Sequence, residues 1–289
     1  MGVAAIDPAL RIAAVRLAVS DLPASADFYE RVLGLPLSSQ DEHSAWLGPD
    51  PQRPALELTG IEAPTPLVPA STGLFHVAWL HPTRAALAAS VRRVVGQRWP
   101  FDGASDHGVS EALYLTDPDG LGIELYADRP REQWDTAPDG HRVQMVTLPL
   151  DLEGLLAQDP GGPASSMPEG TTVGHVHLKV SQVPRAADFY REALGFEEQA
   201  KLPSAAFLAA GGYHHHVGLN SWQSEGASPP PDTAPGLRRV DFELGDAQAV
   251  EELERRVRAA PEGPSASHEQ DGALSVRDPD GLLLAFAHR

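Results

Sequence analysis

The chain repeats one pattern of apolar and polar positions four times. In its clearest copy Val176, Leu178 and Val180 alternate with His175, His177 and Lys179, the two-residue period of a half-buried strand. Ser181 then stands where a helix N-cap would, ahead of Ala186, Phe189, Tyr190 and Leu194 at helical spacing. Gly195 offers a stop. Ser204 to Leu208 and His214 to Leu219, on either side of Gly211-Gly212, read as a hairpin. The pattern predicts a strand, a helix and a meander of strands.

An earlier copy, from about Arg11 to Thr59, has the same plan. Its Val15-Arg16-Leu17-Ala18-Val19-Ser20, Asp27-Phe28-Tyr29 and Leu33-Gly34 precede their counterparts by a constant offset (176 − 15 = 161). A second copy gives a strand at Phe75 to Leu80, a helix at Thr83 to Val95 and strands at Glu111 to Thr116 and Ile123 to Tyr126. The fourth gives a strand at Arg239 to Leu244, a helix near Ala247 to Ala259 and a last strand at Leu283 to Ala287. Asp117-Pro118-Asp119-Gly120 and Asp278-Pro279-Asp280-Gly281 are turns in which Pro fixes φ and Gly accepts a positive φ. We read their carboxylates as structural.

The stretch from Asp128 to Thr172 is too long for an ordinary connection and is rich in Pro and Gly. It reads as a bridge with a short helix at Leu152 to Ala157. The expected architecture is α+β, four βαβββ units in two domains, 8–127 and 173–289, joined by 128–172.

Composition narrows the function. At 289 residues and 42% hydrophobic content the chain can bury two cores, and no apolar run is long enough to span a bilayer. Met1 to Leu10 lacks the basic start and apolar stretch of a secretory signal, so a cytoplasmic protein is expected. The absence of cysteine excludes disulfides, thiolate metal sites and a cysteine nucleophile. A formal charge of −18 argues against nucleic acid as a partner. Oligomeric state is left open.

Four tandem βαβββ units with Asp-Phe-Tyr and Leu-Gly in the helix resemble the vicinal oxygen chelate superfamily of glyoxalases, fosfomycin-resistance enzymes and extradiol ring-cleaving dioxygenases. Several runs are more specifically similar to two-domain catechol 2,3-dioxygenases. They are His107-Gly108-Val109-Ser110-Glu111-Ala112-Leu113-Tyr114-Leu115, Gly122-Ile123-Glu124-Leu125-Tyr126-Ala127-Asp128-Arg129-Pro130, Gly174-His175-Val176-His177-Leu178 and Gly211-Gly212-Tyr213-His214-His215-His216-Val217-Gly218-Leu219-Asn220. The resemblance implies paired units, each pair a cup holding a metal from the first and last strands of its units.

Those first-strand positions are Ala14, His76, His175 and Arg239, and the last-strand ones are Glu124 and Ala285, with copy one near Glu57 and copy three within His214 to Gly218. Pairing neighbours leaves both cups short of ligands. Pairing copy two with copy three unites His76, Glu124 and His175, a 2-His-1-carboxylate facial triad suited to Fe(II), with Mn(II) also accepted. The expectation is one metal between units two and three, with units one and four forming a cup without a metal. The fallback is His175 with His214 or His216.

The resemblance further implies an acid–base histidine on the hairpin strand. Strand alternation puts His214 and His216 on one face and His215 on the other, and we favour His216 with His214 in support. Tyr114 is expected to bond a substrate oxygen, His107 to orient the ring or O2, and His177 to line the pocket. His43, His81, His141, His268 and His288 receive no role. The implied reaction inserts O2 into a catechol-type aromatic diol. A glyoxalase-like isomerase or lyase, a metal-free antibiotic-binding protein and cleavage of a hydroquinone are the alternatives.

Overall fold

The structure, a computed structural model, describes residues 5–136, 142–158, 161–260, 266–269 and 272–288. Unit one contains β1 (Arg11–Val19), α1 (Leu22–Phe28), β2 (Leu37–Gln40), β3 (Ser44–Leu47) and β4 (Leu56–Gly60). Unit two contains β5 (Gly73–His81), α2 (Arg84–Gly96), β6 (Gly103–Asp106), β7 (Ser110–Thr116) and β8 (Gly122–Asp128). The bridge carries α3 (Leu152–Leu156). Unit three contains β9 (Thr172–Lys179), α4 (Val183–Asp188), β10 (Glu197–Leu202), β11 (Ala205–Ala209) and β12 (Val217–Asn220). Unit four contains β13 (Gly236–Leu244), α5 (Ala247–Ala259), β14 (Ala266–His268), β15 (Leu274–Arg277) and β16 (Leu283–His288). The α+β class and the four βαβββ units expected from the sequence are present.

Units exchange partners along the chain. One eight-stranded mixed sheet has the order β14-β15-β16-β13-β1-β4-β3-β2 and combines units four and one. The other, β10-β11-β12-β9-β5-β8-β7-β6, combines units three and two. Antiparallel pairs close both seams, β1 with β13 and β5 with β9. Each sheet therefore draws one unit from each half of the sequence.

Helices pack on one face of each sheet, α1 on β3 and β4, α2 on β5 and β8, α4 on β11 and β12, and α5 on β13 and β16. A continuous apolar core fills the space beneath them, with Tyr29, Trp79, Tyr190, Phe242 and Phe286 among its fully buried members. Burial of this surface, at about 25 cal/mol per Å², is the main stabilising term. His76, His175 and His177 lie on the opposite face of the second sheet, lining a cavity.

Local details depart from the periodicity in two places. In units one and three the helix widens into a π-helical turn, Tyr29–Leu33 and Phe189–Ala193. Gly34 and Gly195 then end it with φ of 83° and 85°, which a side chain disfavours. Ser181 is not the N-cap. That place belongs to Gln182, and the Ser181 hydroxyl bonds Asp280 instead.

Both Asp-Pro-Asp-Gly turns act as clamps. Tyr29 donates to Asp117 (3.1 Å) and the Ser20 hydroxyl to Asp119, while Tyr190 donates to Asp278 (3.3 Å). Each clamp ties together two units that are neighbours in sequence but belong to different sheets. The bridge also packs: Arg93 bonds the carbonyls of Ala164 and Ser165, and Leu148 extends the edge of β6 through Asp106. His141 lies outside the described residues.

Candidate metal centre

The second sheet brings three ligand-type side chains to one point. Ala78 on β5 stands opposite Glu124 on β8 and, across the seam, opposite His175 on β9. His76 is two residues before Ala78, on the same face. The result is His76 Nε2 at 2.9 Å and His175 Nε2 at 3.2 Å from Glu124 Oε2, with the two nitrogens 3.3 Å apart. All three side chains are buried.

These distances fit an ion. Donors bound about 2.1 Å from a metal at right angles to one another lie about 3.0 Å apart. Without one, two ring nitrogens face each other and compete for a single carboxylate oxygen. Burial opposes ionisation of Glu124, but the His175 and His76 imidazoles and their hydrogen bonds hold its carboxyl well below the usual range. Desolvation outweighs the attraction of Glu124 at His175 and lowers its pKa to about 4. An ionised carboxylate and a neutral imidazole are the states a metal needs.

The donors open into a cavity of about 760 Å³. Phe75, Phe207, Trp222, Ile123, Met145 and Val146 supply apolar wall, the last two from the bridge. Tyr114 and His107 also face it. Tyr114 pairs with Glu124 in the ladder, and its ring centroid is 5.7 Å from that of His76. The His107 Nδ1 bonds the Val146 carbonyl at 2.8 Å, so its Nε2 accepts from the Tyr114 hydroxyl at 2.7 Å. His177 also lines the cavity, its ring 5.0 Å from that of His76.

The triple histidine is arranged differently from the sequence expectation. Pairing of β12 starts at Val217, so His214, His215 and His216 precede the strand and do not alternate. His216 turns back and accepts the Ala210 N–H at 3.2 Å, while His214 bonds Asp128 at 2.9 Å. Neither lines the cavity. His215 does, with its ring centroid 4.0 Å from that of His175. Burial first, then the neighbouring histidines, holds its pKa well below the ordinary value.

The first sheet shows what the equivalent positions become without ligands. Parallel register makes Glu57 the counterpart of Glu124, but it pairs with Arg16 at 3.0 Å. Arg239, where His76 stands in unit two, binds Asp241 and Glu269. Ala14 and Ala285 complete the set. In unit three the last-strand position is Gly218, opposite His177. An added Cβ there would lie 2.9 Å from the His177 ring.

The glyoxalase/bleomycin resistance protein/dioxygenase superfamily model matches the chain twice, over residues 11–125 and 172–286. The chain belongs to this superfamily. A catechol-2,3-dioxygenase of Bacillus subtilis (strain 168) is 38% identical over 277 residues, covering 94% of this chain and 95% of the relative. Among solved structures of the superfamily fold, a candidate dioxygenase from Bacillus subtilis aligns with a TM-score of 0.65 at 16% identity, covering 99% of this chain and 86% of that one. Glyoxalase I from Zea mays aligns with a TM-score of 0.56 at 17% identity, covering 96% and 92%. At such identities the two structures speak for the fold alone.

Proposed function

We propose that this superfamily member is an extradiol-type dioxygenase that cleaves a catechol, with His76, His175 and Glu124 holding Fe(II) and Mn(II) as an acceptable substitute. The observation that carries the reading is the convergence of those three donors at the inner wall of a cavity that also presents His215 and Tyr114. Similarity to a catechol-2,3-dioxygenase supports the substrate class. A bound divalent ion would supply a positive centre for two adjacent diol oxygens and an electron path from the ring to O2.

The chain's own groups do the rest. Phe75, Phe207 and Trp222 offer rings against which the aromatic substrate can stack. His215 is the group we assign to taking a hydroxyl proton, in place of His216. Burial, then the Glu124 charge, keeps the Tyr114 phenol protonated. Because that proton is given to His107, an oxygen lone pair of Tyr114 is left for the second hydroxyl. His107 thus orients Tyr114 and is not assigned to O2.

The test is oxygen uptake with a panel of catechols after anaerobic Fe(II) loading, followed through the yellow ring-opened product. His76→Ala and Glu124→Ala should each lose both metal and uptake while keeping the far-UV circular dichroism of the parent. Wild-type turnover in either variant would overturn the ligand assignment. Isomerisation of a hemithioacetal without oxygen uptake would favour a glyoxalase-like activity.

A further inference from the structure

Asp128 ends β8 behind the triple histidine, outside the cavity. A carboxylate can only accept, and its Oδ1 lies 2.9 Å from His214 Nε2. That nitrogen therefore carries a proton. His214 is completely buried, with the imidazoles of His215 and His175 in ring contact. In its neutral form His214 has that one N–H, which leaves its Nδ1 a bare acceptor. His215 Nδ1 is 2.7 Å from it and must be the donor. The single proton of His215 is thereby assigned to Nδ1, and its Nε2 is left bare.

We propose that Asp128 and His214 form a relay that locks His215 in the Nδ1–H tautomer, so that an Nε2 lone pair faces the cavity. Free imidazole side chains prefer the opposite form, with the proton on Nε2. Without the relay, His215 would present a donor where a hydroxyl proton has to be accepted. Asp128 and His214 do not line the cavity and are positioning residues. Surrounding rings hold them in register. Tyr213 and Trp134 pack on His214 with centroids at 4.0 and 5.4 Å, and the Tyr213 hydroxyl bonds Tyr126 at 2.8 Å. The catalytic consequence rests on the proposed function, whereas the tautomer does not.

The experiment is ¹⁵N-histidine NMR of the full-length chain, metal-free and loaded with diamagnetic Zn(II), with H215Q used to assign the His215 signals. The expected spectrum has a protonated Nδ1 and a bare Nε2 for His215, with scalar coupling across the Nδ1–Nδ1 hydrogen bond. In H214F the His215 proton should move to Nε2. A wild-type spectrum with His215 protonated on Nε2 overturns the relay, and needs no folded H214F protein for its reading. With ring cleavage established, H214F should lower kcat about 10–100-fold, in the range typical of groups that orient a site residue, and leave KM for catechol unchanged. If the tautomer is as expected but no catechol is cleaved, the proposed function fails and the relay stands.

Discussion

At the scale of single residues, ligand type was easier to read from the sequence than the direction a side chain takes. The convergence of His76, Glu124 and His175 is legible because the repeat supplies three other copies against which they stand out. His215 is not, because strand alternation was extended into residues that precede the strand. The two histidines separate cleanly in a test. His215→Gln should reduce kcat for catechol cleavage by about 10²–10⁴-fold, the usual contribution of a positioned general base. His216→Gln should leave kcat near the parent value, since His216 faces Ala210 N–H and not the cavity. It should instead destabilise the protein by about 1–3 kcal/mol if the amide is left without its acceptor. Stopped-flow turnover and urea unfolding measure the two quantities. A larger activity loss for His216 than for His215 would restore the order expected from alternation.

At the scale of elements, the long periodic segments were the best read. The helix of unit four was expected at Ala247 to Ala259 and occupies those residues, and that of unit two is displaced by a single residue. Registers were not legible, since no local pattern announces the irregularities between Leu74 and His76 or between Ala78 and Trp79 on β5. Yet these registers set the site. Ala78 is fully buried between the strands carrying Glu124 and His175, and packs with Ala112 and Tyr126. Ala78→Leu should destabilise by about 1–3 kcal/mol through overpacking. It should also displace the carboxylate and reduce metal bound after anaerobic loading well below one equivalent. Metal analysis beside a thermal melt decides this, and full occupancy in the Leu variant would show that Ala78 does not set the ligand spacing. The role of the bridge was missed for a similar reason: Met145 and Val146 reach the cavity from a segment whose composition suggested a simple connection.

At the scale of the molecule, unit exchange means that neither half of the chain contains a whole sheet, and the clamps hold the two sheets to one another. Those clamps have a pH dependence of their own. Burial is the largest influence on Asp117 and Asp278, and with the charges of Asp119 and Asp280 it outweighs the backbone N–H groups that each accepts, raising both pKa values to about 6. An unfolded aspartate loses its proton near 3.9. Between these values the folded chain binds more protons than the unfolded chain, so this contribution to stability falls as pH rises from about 4 to about 6. The pair Asp117→Asn and Asp278→Asn removes the titration but keeps an acceptor for the amides of Leu121 and Leu282 and a polar partner for Tyr29 and Tyr190. The double variant should therefore match the parent near pH 4.5 and exceed it at pH 7.5, by up to about 2–3 kcal/mol per aspartate. Urea unfolding at the two pH values measures that difference of differences, which cancels the titration of the other carboxylates. An equal loss of stability at both pH values would mean that the clamps hold as anions, with the tyrosine hydroxyls and backbone amides compensating their burial.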